Sequence, residues 1–359
     1  MVQNVSQKRN IRLLSPVELE QFFVSAGEKA YRARQVSEWL WEKSAWSFDE
    51  MTSLSLEIRK LLEENFTINH INVANQQLSA DRTIKNAFRL FDGNTIEGVL
   101  IPTEKRMTAC VSSQVGCSLT CKFCATGKLD RIRNLEADEI YDQVVVISRQ
   151  AMEKYGKPLT NIVYMGMGEP LLNYQNVLQS IEKITSQKGL GMAQKRITVS
   201  TAGIAKMICK LGDDKVKFNL ALSLHAANDE KRSSIMPIND SNSLASLKDA
   251  LRYYYEKTGN PVTYEYIIFK DFNNSLKDAE ELARFCSVVP SKVNIIEYNA
   301  TGDGLFEKSQ EDKTMAFRNY LEGRRITAKI RRSRGKDIDA ACGQLANKLT
   351  PLEKGEVKL

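Results

Sequence analysis

Three cysteines, Cys117, Cys121 and Cys124, stand at C-x3-C-x2-C spacing in the stretch Cys117-Ser118-Leu119-Thr120-Cys121-Lys122-Phe123-Cys124. Thiolates are the ordinary ligands of iron–sulfur clusters, and a cluster usually takes four of them. Three from one loop, with no fourth close behind, leave one iron open to a small molecule. Zinc is the competing reading. Structural zinc sites, however, usually pair a C-x2-4-C with a second Cys or His pair. The only histidines, His70 and His225, both lie far from this stretch in the sequence. The spacing therefore predicts one [4Fe–4S] cluster held by three protein ligands.

Other residues suited to chemistry fall in a pattern that only the surrounding elements explain. From about Met107, strand-like segments alternate with helical ones, which implies a parallel sheet built of βαβ units. Strands are expected at Met107–Ser112, Asn161–Met165, Arg196–Ser200, Phe218–Leu224, Thr263–Phe269, Lys292–Tyr298 and Ile326–Ile330. The helical count is nearer six than eight, so the fold class is α/β, an incomplete (β/α)6 barrel. Chemistry in such barrels gathers in the loops after the strands' C-terminal ends. The three cysteines follow the first strand, and Gly166-Met167-Gly168-Glu169-Pro170 follows the second. Ser200, Ser223-Leu224-His225 and Asn299 stand at later strand ends. Singly, each is an ordinary turn or core residue; as a set they could face one cavity. Glu169 could there hold an ammonium group.

The segment before the barrel reads differently. Ser15-Pro16-Val17-Glu18 is a helix start, and Ala30 to Lys43 and Leu54 to Phe66 carry apolar residues at helical spacing. Trp39, Trp41 and Trp46 are core anchors of this module, or platforms for stacking RNA bases beside Lys29, Arg32 and Arg34. Ala87–Phe91 and Thr95–Ile101 flank Asp92-Gly93-Asn94, a hairpin signal. The expected organisation is a helical accessory module over 1–86, a connecting hairpin over 87–103, the barrel with a terminal cysteine motif over 104–345, and a polar tail over 346–359.

Composition narrows the setting. Seven cysteines in 359 residues do not form a disulfide framework. Met1–Asn10 lacks an apolar signal region, and no run of about 18 apolar residues suggests a membrane span. A cytoplasmic protein with reduced thiols is expected. The net charge of +7 is weak evidence for nucleic acid. Arg324, Arg325, Lys329, Arg331, Arg332, Arg334 and Lys336 nevertheless cluster without an acid among them. They could track a phosphate backbone or form a solvated strand edge.

The cysteine spacing resembles that of the radical S-adenosylmethionine (radical SAM) superfamily, in which SAM occupies the open iron. Together with Gly166–Pro170, Ser223–His225, Met236-Pro237-Ile238-Asn239-Asp240 and Asp337-Ile338-Asp339-Ala340-Ala341-Cys342-Gly343-Gln344-Leu345, it resembles the RlmN/Cfr branch of RNA adenine methyltransferases. The resemblance covers nearly the whole chain, and the Cys342 motif is its most specific part. It implies methylation of adenine C2 in 23S rRNA (adenine 2503) and tRNA (adenine 37), with two SAM molecules per turnover. C8 methylation of the rRNA adenine, as in the Cfr members, is the alternative, since Pro170 is the residue that favours C2. A radical SAM enzyme of another class and a non-enzymatic iron–sulfur RNA-binding protein are the rivals. Neither accounts for the Cys342 motif.

Adenine C2 and C8 are electron-poor carbons without a usable lone pair, so a polar displacement on SAM is closed to them and radical chemistry is the natural route. The resemblance implies that Cys342 first takes a methyl group, which then becomes the carbon joined to adenine. It makes Cys110 the second catalytic thiol and Glu97 a proton acceptor, with the base role open between them. It assigns SAM contacts to Gly168, Glu169, Ser200, Ser223, Leu224, His225 and Asn299, and the cluster to Cys117, Cys121 and Cys124. RNA would bind the helical module and the Arg324–Lys336 stretch. A flavodoxin or ferredoxin electron donor and a monomer acting away from the membrane complete the expectation.

Overall fold

The computed structural model describes residues 8–302 and 304–346. Residues 347–359, most of the expected polar tail, lie outside the described residues. Three helices open the chain: α1 (Pro16–Ser25), α2 (Tyr31–Trp41) and α3 (Leu56–Asn65). Helix α1 starts where the sequence says it should. Ser15 Oγ accepts the Glu18 amide at 3.2 Å while the Glu18 carboxylate accepts the Ser15 amide at 2.7 Å, a reciprocal cap worth about 1 kcal/mol. The three tryptophans pack rather than project. Trp41 is buried, Trp39 donates to Ser53 Oγ at 2.8 Å, and Trp46 stacks on His70 with ring centres 5.2 Å apart.

Ten strands then form one sheet: β1 (Asn72–Leu78), β2 (Ile84–Arg89), β3 (Thr95–Pro102), β4 (Met107–Cys110), β5 (Asn161–Tyr164), β6 (Ile197–Thr201), β7 (Asn219–Ser223), β8 (Val262–Ile268), β9 (Ser291–Glu297) and β10 (Thr327–Arg331). Their spatial order follows the chain without a break, from β10 at one edge to β1 at the other. Strands β4 to β10 are mutually parallel. Strands β1 to β4 are antiparallel, with Gly93 (φ +83°) turning the β2–β3 hairpin. Six helices cross between the parallel strands: α4 (Ala137–Tyr155), α5 (Tyr174–Thr185), α6 (Ala205–Asp213), α7 (Leu244–Thr258), α8 (Leu276–Cys286) and α9 (Glu311–Gly323). This is the expected partial barrel. The hairpin widens into a sheet extension because β1 adds a strand at its edge. Residues 72–78 had been placed with the helical module.

Every residue of β8 is buried, as a strand covered on both faces requires. The apolar core runs without interruption from Phe23 and Leu62 of the helical module into the barrel. A buried ion pair fixes the two together. Arg12 donates to both carboxylate oxygens of Asp142 on α4, at 2.9 and 2.7 Å, and lies 4.8 Å from the Trp41 ring. Removing one member of such a pair costs about 3–5 kcal/mol, since it strands the other charge. Among the described residues no helix is long and apolar enough to cross a membrane.

Candidate active site

The loop leaving β4 is held in a tight path. Gln114–Val115 pairs with Arg133–Asn134, and Gly116 (φ +76°) passes so near the Asp130 carbonyl that a Cβ would lie 2.0 Å from its oxygen. Cys117, Cys121 and Cys124 emerge on this loop into an open cleft with about 880 Å³ of empty space. Burial pushes the Cys117 thiol up to about 11 and raises Cys121 and Cys124 as well. A bound metal centre would reverse this, because coordination removes the thiol proton outright. Among the described residues, no three His, Cys, Asp or Glu side chains converge as they would on a single metal ion. Three thiols around one open cleft suit a cluster with one iron left exposed to a small molecule.

The strand exits gather around the same cleft. Gly168 (φ +93°) turns beneath Gln114, where a Cβ would meet the Gln114 side chain at 2.5 Å. Next to it, the buried Glu169 carboxylate accepts the amides of Leu171 at 3.0 Å and Ala202 at 2.7 Å. Desolvation raises its pKa, and these two amides oppose the rise. Ser200 and Ser223 face each other with 3.2 Å between their hydroxyl oxygens. His225 adopts φ +56°, and its Nδ1 accepts the Ile267 amide at 3.0 Å, which leaves the ring proton on Nε2. Burial, with Arg232 beside it, lowers His225 to about 3, so the ring is neutral.

The segment carrying Cys342 packs directly on the cysteine loop. Gly343 accepts the Ala125 amide at 2.7 Å, and Leu345 accepts the Thr126 hydroxyl at 2.6 Å. Cys342 thereby joins Cys117, Cys121 and Cys124 in the lining of the cleft. Cys110 is buried on β4, and its thiol is pushed up to about 12, chiefly by burial and then by the charge of nearby Cys342. Glu97, buried on β3, accepts the Ala346 amide at 2.8 Å and stands 3.6 Å from Lys85 Nζ.

Leu224 and Asn299, also expected to contact the cofactor, sit at the same strand exits and make defined contacts there. The Leu224 side chain is core, and its carbonyl accepts from Arg232 Nε at 3.1 Å. Asn299 donates to the Cys342 carbonyl at 3.2 Å, so it holds the cysteine segment.

Arg232 and Glu265 are not singled out by the sequence, and Arg331 is read there only as part of the basic run. Arg232, fully buried, donates to the Ala202, Ser223 and Leu224 carbonyls and so fastens the β6 exit to the β7 exit. Its proximity to the Met236–Asp240 motif was the available signal, since it also donates to Asn239 at 2.8 Å. Glu265 on β8 and Arg331 on β10 line the cleft, 3.9 Å apart. The basic stretch is also less open to RNA than its charge suggests. Arg332 and Lys336 donate to Glu297 at 2.6 and 2.8 Å, and Arg334 lies 4.0 Å from Asp81.

Comparisons with known proteins agree with this architecture. Residues 9–68 match the Ribosomal RNA large subunit methyltransferase N-terminal domain, and residues 111–286 match the Radical SAM superfamily. The chain is 61% identical to a probable dual-specificity RNA methyltransferase RlmN of Cytophaga hutchinsonii, over 95% of this chain and 94% of that one. It is 43% identical to the dual-specificity RNA methyltransferase RlmN of Geobacter sulfurreducens, over 96% and 94% of the two chains. The crystal structure of a radical SAM methyltransferase from Sphaerobacter thermophilus superposes with a TM-score of 0.88 at 40% identity, covering 94% of this chain and 99% of that one. The cofactors of such an enzyme are a [4Fe–4S] cluster and SAM, and the chain belongs to the RlmN family of radical SAM RNA methyltransferases.

Proposed function

We propose that the enzyme methylates C2 of adenine 2503 in 23S rRNA and of adenine 37 in tRNA, with Cys342 as the carrier of the transferred carbon. The carrying observation is the placement of Cys342 in the lining of the cleft that also holds Cys117, Cys121 and Cys124. A methyl carrier must sit within reach of the group that activates it, and the Gly343–Ala125 bond keeps it there. Cys117, Cys121 and Cys124 would hold the cluster, which with SAM would supply one-electron chemistry able to activate a methyl group carried on Cys342. Gly168, Glu169, Ser200, Ser223 and His225 would seat SAM, with the Glu169 carboxylate facing its ammonium group. Leu224 and Asn299 would also contact SAM, Leu224 through its backbone, while Asn299 holds the Cys342 carbonyl and the Leu224 carbonyl accepts from Arg232.

Glu97 is the proton acceptor in this reading and Cys110 the resolving thiol. A target base must be unstacked to reach the cleft, which favours an adenine in a loop of folded RNA. The exposed face of the helical module would bind that RNA. Electrons would come from a flavodoxin or ferredoxin, and the enzyme would act as a cytoplasmic monomer. Mass mapping of methyladenosine in rRNA and tRNA, from cells with and without the gene, tests the assignment. Loss of 2-methyladenosine from both RNAs is expected. Loss of 8-methyladenosine instead would overturn the choice of C2.

A further inference from the structure

The inner wall of the cleft contains a polar pair without a role in the chemistry above. One oxygen of Glu265, Oε1, accepts Asn294 Nδ2 at 2.8 Å. The other, Oε2, is buried with no hydrogen-bond partner. The Arg331 guanidinium comes within 3.9 Å of it and also approaches Met165 Sδ at 3.9 Å. Ile267 and Ile296 line the same cleft, as does Cys342. A carboxylate oxygen buried without a donor is costly and calls for a ligand that donates to it.

The adenine edge supplies complementary groups in a fixed order. The exocyclic N6 amine donates, N1 accepts, and C2 is bonded to N1. Resting on the reading that adenine is the substrate base, we propose that Glu265 and Arg331 read this edge. Glu265 Oε2 accepts from N6, Arg331 donates to N1, and C2 is left toward Cys342. C8 lies on the other ring, away from this edge. The apolar side chains of Ile267 and Ile296 in the lining suit an unstacked base. Guanine and hypoxanthine carry an acceptor oxygen at position 6 and a proton on N1, so both contacts would be reversed into repulsions.

The experiment uses the reconstituted holoenzyme and RNA hairpins carrying adenosine, purine riboside (no N6 amine) or 1-deazaadenosine (no N1 acceptor) at the target position. Wild-type kcat/KM should fall about tenfold or more for each analogue, the discrimination one base-edge contact provides. In Glu265→Gln, Asn294 holds the amide oxygen and turns the NH2 end toward N6. That variant should lose activity on adenosine RNA and none on purine RNA, so the ratio between the two approaches one. Arg331→Met should do the same for adenosine against 1-deazaadenosine. Because each ratio is taken within one variant, a general loss of folded enzyme cancels. SAM affinity, measured by equilibrium dialysis, should be unchanged in Glu265→Gln. A fall in SAM affinity with the RNA ratios intact would overturn the inference, for Glu265 would then serve SAM. Wild-type enzyme that accepts all three RNAs equally would overturn it too, leaving the functional proposal standing. Failure to methylate even the adenosine RNA would overturn both.

Discussion

The Glu97 carboxylate accepts the backbone amide of Ala346 at 2.8 Å, tying strand β3 to the residues just beyond Cys342. Glu97 is only 3% exposed and stands 3.6 Å from Lys85 Nζ. It is thus a buried carboxylate held against the cysteine segment rather than a solvated strand residue. A positioned general base contributes roughly 10²–10⁴ in rate. Glu97→Gln keeps the shape and one acceptor oxygen for Ala346 but cannot take a proton. We expect kcat to fall about a hundredfold, while methylation of Cys342, read by intact-protein mass, continues. Wild-type turnover by Glu97→Gln would leave it only the task of holding Ala346.

With Cys117, Cys121 and Cys124 as the proposed ligands, cluster binding should depend on all three loop thiols. Replacing Cys121 with Ala removes a ligand that burial places inside the cleft. Anaerobically reconstituted Cys121→Ala should bind little iron and sulfide and should not cleave SAM. Its circular dichroism should match wild type, because the loop is also pinned by the Gln114–Asn134 and Val115–Arg133 pairings. Full SAM cleavage by a variant shown to lack iron would refute the cluster assignment.

Much of this site could be read from residue types alone. The C-x3-C-x2-C spacing and the alternation of strands with helices located the cleft, because both are local patterns. The hairpin was legible through Asp92-Gly93-Asn94, which the positive φ of Gly93 requires. Strand β1 was not legible. Its sequence, Asn-Val-Ala-Asn-Gln-Gln-Leu, is largely exposed at the sheet edge and shows no buried alternation. Arg232, Glu265 and the placement of Arg331 in the cleft were hidden for a different reason. Each owes its role to partners on other elements, and no spacing within one segment shows those. The partners of the Arg324–Lys336 run were hidden in the same way. Its charges look unbalanced locally, yet Glu297, which lies 35 residues before Arg332, takes two of them.

Glu297 gives a stability prediction with a definite sign. Arg332, Lys336 and Lys308 converge on it at 2.6, 2.8 and 3.2 Å and hold its carboxyl at about 2, against the ordinary 4.5, despite the opposing effect of burial. A depressed carboxylate stabilises the fold above its unfolded pKa, and that stabilisation is lost as pH falls through the folded value. The difference corresponds to roughly 3 kcal/mol, reduced to about 2 because the three cations are half in solvent. Glu297→Gln should therefore lower stability at pH 7 by about 2 kcal/mol in urea titrations. The gap from wild type should narrow steadily between pH 4.5 and about 2. A gap independent of pH would show that Glu297 acts through packing instead.

In the proposed mechanism Cys110 sets the last step. Once the carbon on Cys342 is bonded to adenine by radical addition, the substrate proton and the unpaired electron must both leave, the electron to a one-electron acceptor such as a bound iron–sulfur cluster would provide, and the bond from sulfur to carbon must then break. A second thiolate accomplishes this by forming a disulfide with Cys342, while the electron pair of the broken bond goes to the carbon, which takes up a proton; an external thiol then reduces the disulfide. Burial, the largest cause, raises the Cys110 pKa and acts in the adduct as well, where the Cys342 sulfur is bonded to carbon and uncharged, while Arg331 opposes the rise. At neutral pH Cys110 is therefore a thiol, and its reactive form grows as pH rises. Release of RNA from the protein should accelerate from pH 7 to pH 10, observed as decay of a nuclease-sensitive band shifted upward on a denaturing gel. Cys110→Ala should hold that band at every pH, and Cys110→Ala combined with Cys342→Ala should never form it, because no carrier carbon exists. Normal turnover by Cys110→Ala without a trapped adduct would make Cys110 a packing residue of β4 and would sink the two-thiol mechanism.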